Sequence, residues 1–139
     1  MQNQIPDAGM GRIGRLEQKL AAEDFLTLVK ESLKCDHLRV SGDLGRPVSK
    51  IAVCGGSGSG LLKAAHRQGA EVLVTGDVKY HEARQAEELG MLLVDAGHFA
   101  TERLVITELS AALRQASQVR GWALTVEEYT GEKDPFRVY

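Results

Sequence analysis

The feature that most constrains the fold is a unit of apolar strand, glycine-bearing turn and helix that recurs three times between Val48 and Ser117. The apolar runs are IAVC (51–54), EVLVT (71–75) and MLLV (91–94), followed by the turns GGSGSG, TGDVKYH and DAGHFATE. Helical stretches then extend to about Gln68, Leu89 and Ser117. Short, near-continuous runs of Val and Leu suit strands covered on both faces, and strands alternating with helices require crossover connections and a parallel sheet. The expected fold is therefore α/β, a layered sandwich in which helices flank a mainly parallel sheet with an antiparallel edge strand. WALTVEEY (122–129) alternates Trp122, Leu124 and Val126 with polar residues and is the expected edge strand, with Trp122 in the core. Upstream, Phe25, Leu28, Val29 and Leu33 form the stripe of an amphipathic helix over Glu23–Leu33, and Leu38–Val40 reads as a short strand. Residues 1–20 read as a glycine-containing lead-in, residues 21–139 as a single α/β domain, and the tail from Thr130 as docked coil.

A chain of 139 residues is long enough to bury a core in one domain without covalent staples. The net charge of −2 leaves no basic stripe, so attraction to nucleic acid or to an anionic membrane is not indicated. Cys35 and Cys54 have no C-x-x-C spacing, and no secretory segment or long apolar run is visible, which makes a reduced, cytoplasmic protein the expectation.

The chemistry-bearing residues gather in the turns. His98 and Glu102 stand four residues apart at the start of the third helix, immediately after a strand and Gly97. On a continuous helix over His98–Ser117, Glu102 shares a face with Val105, Leu109, Leu113 and Ala116, the face expected to be buried. An unpartnered carboxylate there costs several kcal/mol, so Glu102 needs a cation, donors or a water-filled cleft. A solvated surface pair is the plain alternative. Helix starts after parallel strands face the ligand cleft, however, and the dipole there favours ionised Glu102 and neutral His98, both in the forms that bind metal. Asp77 reads as a helix N-cap or as a residue in or behind the cleft that handles substrate or protons, and His81 either lines the cleft as a ligand or acid/base or pairs with a neighbouring acid. Asp95 either orients His98 through its other ring nitrogen or caps the turn through the backbone. Gly56, Ser57, Gly58 and Ser59 read as a tight turn with a packing role or as an anion-binding turn. Leu61 excludes both the phosphate-loop and the dinucleotide pattern. His37 and His66 read as ordinary surface residues.

Taken together, GMGRIG (9–14), KIAVCGGSG (50–58), TGDVKYHEA (75–83), DAGHFATE (95–102) and DPF (134–136) resemble the carboxyl-terminal half of the Nif-three-like dinuclear metal-centre family, the type-two homologues of GTP cyclohydrolase one. The resemblance implies that His98 and Glu102 are metal ligands. Full-length members also carry a His-His-Pro element and a further aspartate in an amino-terminal half, and this chain has no His-His pair. The resemblance thus implies half of a dinuclear site for divalent metal ions, with zinc, manganese, iron or nickel all suited to a histidine–carboxylate set. Metal-assisted hydrolysis of a small molecule or nucleotide is the implied activity if the missing donors are supplied. The alternative is a noncatalytic module that pairs with a separate amino-terminal half or self-associates as a homo-oligomer. A truncated gene, a separately encoded half and a proteolytic fragment all fit the polar start.

Overall fold

The computed structural model describes residues 9–137. Five strands form one open mixed sheet in the order β1-β3-β4-β5-β2, with β1 at Arg12–Leu20, β2 at Arg39–Ser41, β3 at Val48–Val53, β4 at Val72–Thr75 and β5 at Leu92–Asp95. The centre is parallel, β3 to β4 to β5, and both edges are antiparallel, β1 on β3 and β2 on β5. The sandwich expected from the alternation is present. The central strands β4 and β5 carry apolar runs because they are buried on both faces.

One layer is α1 (Ala22–Leu33), whose Ala22, Phe25 and Val29 pack on Val48, Val72, Val74, Leu92 and Val94. The other layer holds α2 (Leu62–Arg67), entered through a 3₁₀ turn at Ser59–Leu61, and α3 (Tyr80–Glu88). There Leu62, Ala65 and Ala86 meet Ala52, Leu73, Met91 and Leu93. Neighbouring residues on each strand thus feed opposite layers, as the pleat requires.

Four local expectations are corrected. From Arg12 onward the expected lead-in is strand β1, in register with β3 from Arg12↔Val53 to Leu20↔Val48, with an irregularity after Arg15. Its exposed Arg12, Arg15 and Lys19 hide a strand signal carried only by Ile13, Leu16 and Leu20. Residues 1–8 of that lead-in lie outside the described residues. The WALTVEEY segment forms no strand, and the antiparallel edges are β1 and β2 instead. Its carbonyls are held by side chains of the last helix, Ser117 Oγ donating to Trp122 O at 3.0 Å and Arg114 Nη2 to Val126 O at 3.1 Å. Trp122 is half exposed under the Arg120 guanidinium rather than in the core. The expected single helix over 98–117 is two, α4 (His98–Glu102) and α5 (Leu104–Arg120), meeting at Arg103. Arg103 Nη2 donates to Leu33 O at 2.8 Å and to Lys34 O at 3.0 Å, capping the carboxyl end of α1 and pinning the junction there.

The face of α5 expected to be buried is open in this chain: Val105, Leu109 and Leu113 are about half exposed, whereas Ser110 and Ser117 are buried under residues 122–128. No helix among the described residues is long and apolar enough to cross a membrane.

Candidate metal centre

The parallel pairing of β4 with β5 sets Thr75 beside Asp95, so the turns TGD and DAGH leave the sheet side by side. The turns approach so closely that a Cβ on Gly76 would lie 2.8 Å from the carbonyl carbon of Gly97 and from His98 N. This packing brings Asp77 to His98 across 21 residues of sequence: Asp77 Oδ2 lies 2.7 Å from His98 Nδ1. On the other side of the ring, His98 Nε2 is 3.1 Å from Glu102 Oε2, the i, i+4 pair of α4.

Asp77 is consequently not an N-cap. Lys79 occupies the cap position of α3, and Asp77 sits at φ +56°, in the left-handed region. An aspartate tolerates that region better than most residues, and here it turns the carboxylate toward the imidazole. Asp77 beside Nδ1 raises the His98 pKa above its ordinary 6.5, partial desolvation opposes, and Glu102 adds to the rise. Glu102 itself is about half exposed and partnered by His98, so the expected burial of its charge does not arise.

Asp95 does not reach His98. It is buried, and of its two expected roles it takes the backbone one: Oδ1 accepts from Gly97 N at 3.1 Å, and Oδ2 accepts from Val78 N at 3.1 Å and from Arg39 Nη1 at 3.1 Å. His81 is exposed on α3, edge-on to Tyr80, and does not line the cleft around His98.

The glycine turn after β3 packs against the same pair from the sheet side. Gly56 N donates to Thr101 Oγ1 at 2.9 Å and Gly58 N to Thr75 Oγ1 at 2.8 Å, so both donors are committed internally. Thr75 Oγ1 in turn donates to Gly56 O at 2.9 Å. Gly56 has φ +62°, and a Cβ there would lie 3.2 Å from His98 Cε1 and in collision with the Glu102 carboxylate. Ser59 is buried and Ser57 exposed.

Asp77, His98 and Glu102, but not the glycine turn, line a cleft of about 970 Å³ whose walls include Leu38, Phe99, Ile106 and Phe136. His37, expected to be an ordinary surface residue, is exposed but also lines it. The sequence reading did not single out Thr101, Thr75 or Arg39, nor the pairing of Asp77 with His98. The signal available for the pairing was that TGD and DAGH each end an apolar strand, which only strand adjacency converts into contact.

No group of three or more His, Cys, Asp or Glu side chains is arranged to enclose a metal among the described residues. The pair fits as part of a coordination shell. With bonds of about 2.1 Å, two ligands on one divalent ion stand ~3.0–3.4 Å apart, and Nε2 and Oε2 are 3.1 Å apart. A carboxylate on the far ring nitrogen is the arrangement that fixes a metal-binding imidazole in orientation and tautomer.

Residues 2–135 match the Duf34/NIF3 (NGG1p interacting factor 3) family. A GTP cyclohydrolase 1 type 2 homolog of Streptococcus pneumoniae is 34% identical over 98% of this chain and 52% of its own length. A Clostridium acetobutylicum protein of the same name is 32% identical over 96% of this chain and 50% of its own. The chain therefore spans about half the length of these curated relatives. Among solved structures, a Bacillus cereus protein related to NIF3 superposes with a TM-score of 0.90 at 34% identity, over 94% of this chain and 36% of that one. Staphylococcus aureus protein SA1388 gives 0.87 at 32%, over 94% and 42%.

Proposed function

This chain belongs to the Duf34/NIF3 family, and on that premise we propose that it binds a divalent metal ion through His98 Nε2 and Glu102, as one part of a metal site whose other donors come from outside the described residues. The observation that carries the reading is the line Asp77–His98–Glu102, with separations of 2.7 and 3.1 Å. Asp77 holds the Nδ1 proton, which leaves the Nε2 lone pair of neutral His98 directed at the position a metal would take beside Glu102. When bound, a divalent ion would supply Lewis acidity and a water acidified toward neutral pH, the chemistry of metal-assisted hydrolysis of a small molecule or nucleotide. Zinc, manganese, iron and nickel all suit the donor set. The name GTP cyclohydrolase 1 type 2 homolog, borne by relatives about twice as long, makes a heterocyclic nucleotide the first substrate to assay.

Two protein donors are fewer than the three of a catalytic zinc site, so metal retention requires a second contributor. The open face of α5 supports a place for one. Val105 and Ile106 line the cleft, and the apolar row continues through Leu109 and Leu113, so the cleft and the row form one continuous surface. A second copy or a separate amino-terminal half seated there would reach the site. If neither brings donors, the same surface makes the chain a noncatalytic assembly module.

The test is metal content per chain, by plasma mass spectrometry on protein purified without chelator, with native mass determined on the same sample. Near-stoichiometric metal in wild type and none in Glu102→Ala is the expected result. Metal-free wild type in every oligomeric form would refute a site completed by copies of this chain and leave an incomplete half or the assembly module.

A further inference from the structure

We infer that Asp95 is a positioning residue for the metal-binding pair: its one buried carboxylate clamps the turn that carries Asp77 to the turn that carries His98. The inference rests on the metal reading for its purpose but not for its geometry. Asp77 is a non-glycine residue at φ +56°, a conformation with a free-energy cost that its surroundings offset, whereas Gly97 adopts its φ of +81° freely. The next amide after Asp77, Val78 N, and the amide before His98, Gly97 N, both donate to Asp95, one to each carboxylate oxygen. Arg39, reaching from β2, donates to the oxygen that also serves Val78.

Asp95 is the last residue of β5, between β4 (Thr75↔Asp95) and β2 (Arg39↔Asp95), so the clamp joins three adjacent strand ends. Each charge-assisted bond to a carboxylate is stronger than a neutral one, and a buried carboxylate with three donors is fixed in place. Gly76 completes the clamp by permitting the close approach of the two turns, and Ala96 N donating to Thr75 O at 2.8 Å closes it below. The Asp77–His98 contact is thus a consequence of Asp95, which touches neither side chain.

The experiment reads the imidazole directly in the metal-free chain. Long-range proton–nitrogen NMR in alkaline buffer assigns the His98 tautomer, and the expected wild-type state is Nδ1–H. Asp95→Asn presents an amide NH₂ toward one of the two backbone donors and is expected to shift His98 to the Nε2–H form of free histidine. Asp77→Asn is expected to do the same, and Arg39→Met, which leaves both backbone bonds, is expected to retain Nδ1–H. Metal affinity should fall by about 10–100-fold in Asp95→Asn. A folded Asp95→Asn with unchanged tautomer would overturn the inference. Should that variant not fold, hydrogen exchange on wild type decides: protected Val78 and Gly97 amides support the clamp, and exchange of both at open-loop rates overturns it. Wild type that shows the tautomer and the Asp95 dependence but binds no metal leaves this inference standing and removes only the metal reading.

Discussion

Gly56→Ala separates the backbone demands of the glycine turn from its service to the metal-binding pair. The added Cβ sits at φ +62°, which for alanine costs roughly 1–2 kcal/mol, offset by about 0.4–1 kcal/mol from the less flexible unfolded chain. A net loss of about 1 kcal/mol is therefore expected from the backbone alone. The Cβ also collides with Glu102 Oε1 and comes within 3.1 Å of Glu102 Cδ. Because Glu102 is long and half exposed, its carboxylate retreats by about 1 Å to ordinary contact for a rotamer cost near 1 kcal/mol, and the chain still folds. That retreat exceeds the ~0.5 Å tolerance of a working site, so metal affinity should drop at least tenfold, about 1.4 kcal/mol. Thermal unfolding of the metal-free chain gives the first quantity and calorimetric titration with zinc the second. Glu102→Ala should lose the same binding without the stability loss, and the double variant should bind no worse than Glu102→Ala alone. Gly56→Ala that is destabilised but binds metal as wild type would refute the reasoning, since Glu102 would then not depend on the space at Gly56.

Thr75→Val keeps the shape of a fully buried side chain but removes its bonds with Gly58 N and Gly56 O, which remain bonded to each other and, for Gly56 O, to Gly76 N; a loss of about 0.5–1.5 kcal/mol is expected in denaturant unfolding. Arg103→Met removes both bonds to the end of α1, and about 1–2 kcal/mol should be lost, with faster hydrogen exchange at the α4–α5 junction. Glu71 accepts from Lys50 N at 2.8 Å and Ser49 N at 2.6 Å, and the Lys50 bond first, against some desolvation, holds its pKa below the ordinary 4.5. Its folded pKa is depressed, so its contribution is fully present above the unfolded value and is lost as pH falls from about 4.5 through the folded value. Glu71→Gln should flatten that acid limb by about 1 kcal/mol or less after solvent screening, read from unfolding midpoints across the acid range. Leu109→Glu on the open face of α5 should leave secondary structure unchanged and reduce self-association in sedimentation experiments if a second copy covers that face.

The sequence by itself determined the elements that are local: three apolar strands with glycine turns, the α1 stripe of Phe25 and Val29, and the placing of His98 and Glu102 on one side of a helical turn. Period and turn chemistry are properties of neighbouring residues, and they survive in any context that buries the apolar side. Tertiary structure decided what depends on which distant segments meet. Residues 12–20 became an edge strand because β3 offered a partner edge, which a mostly polar segment does not advertise. Arg103 ended α4 because the carboxyl end of α1 lay within reach. Asp77 met His98, and Asp95 met Val78, Gly97 and Arg39, because β2, β4 and β5 end side by side. The candidate ligands were therefore legible from spacing, whereas which carboxylate meets the His98 ring was not: spacing along a helix is fixed by its own geometry, but contact between two turns is fixed by the order of strands in the sheet.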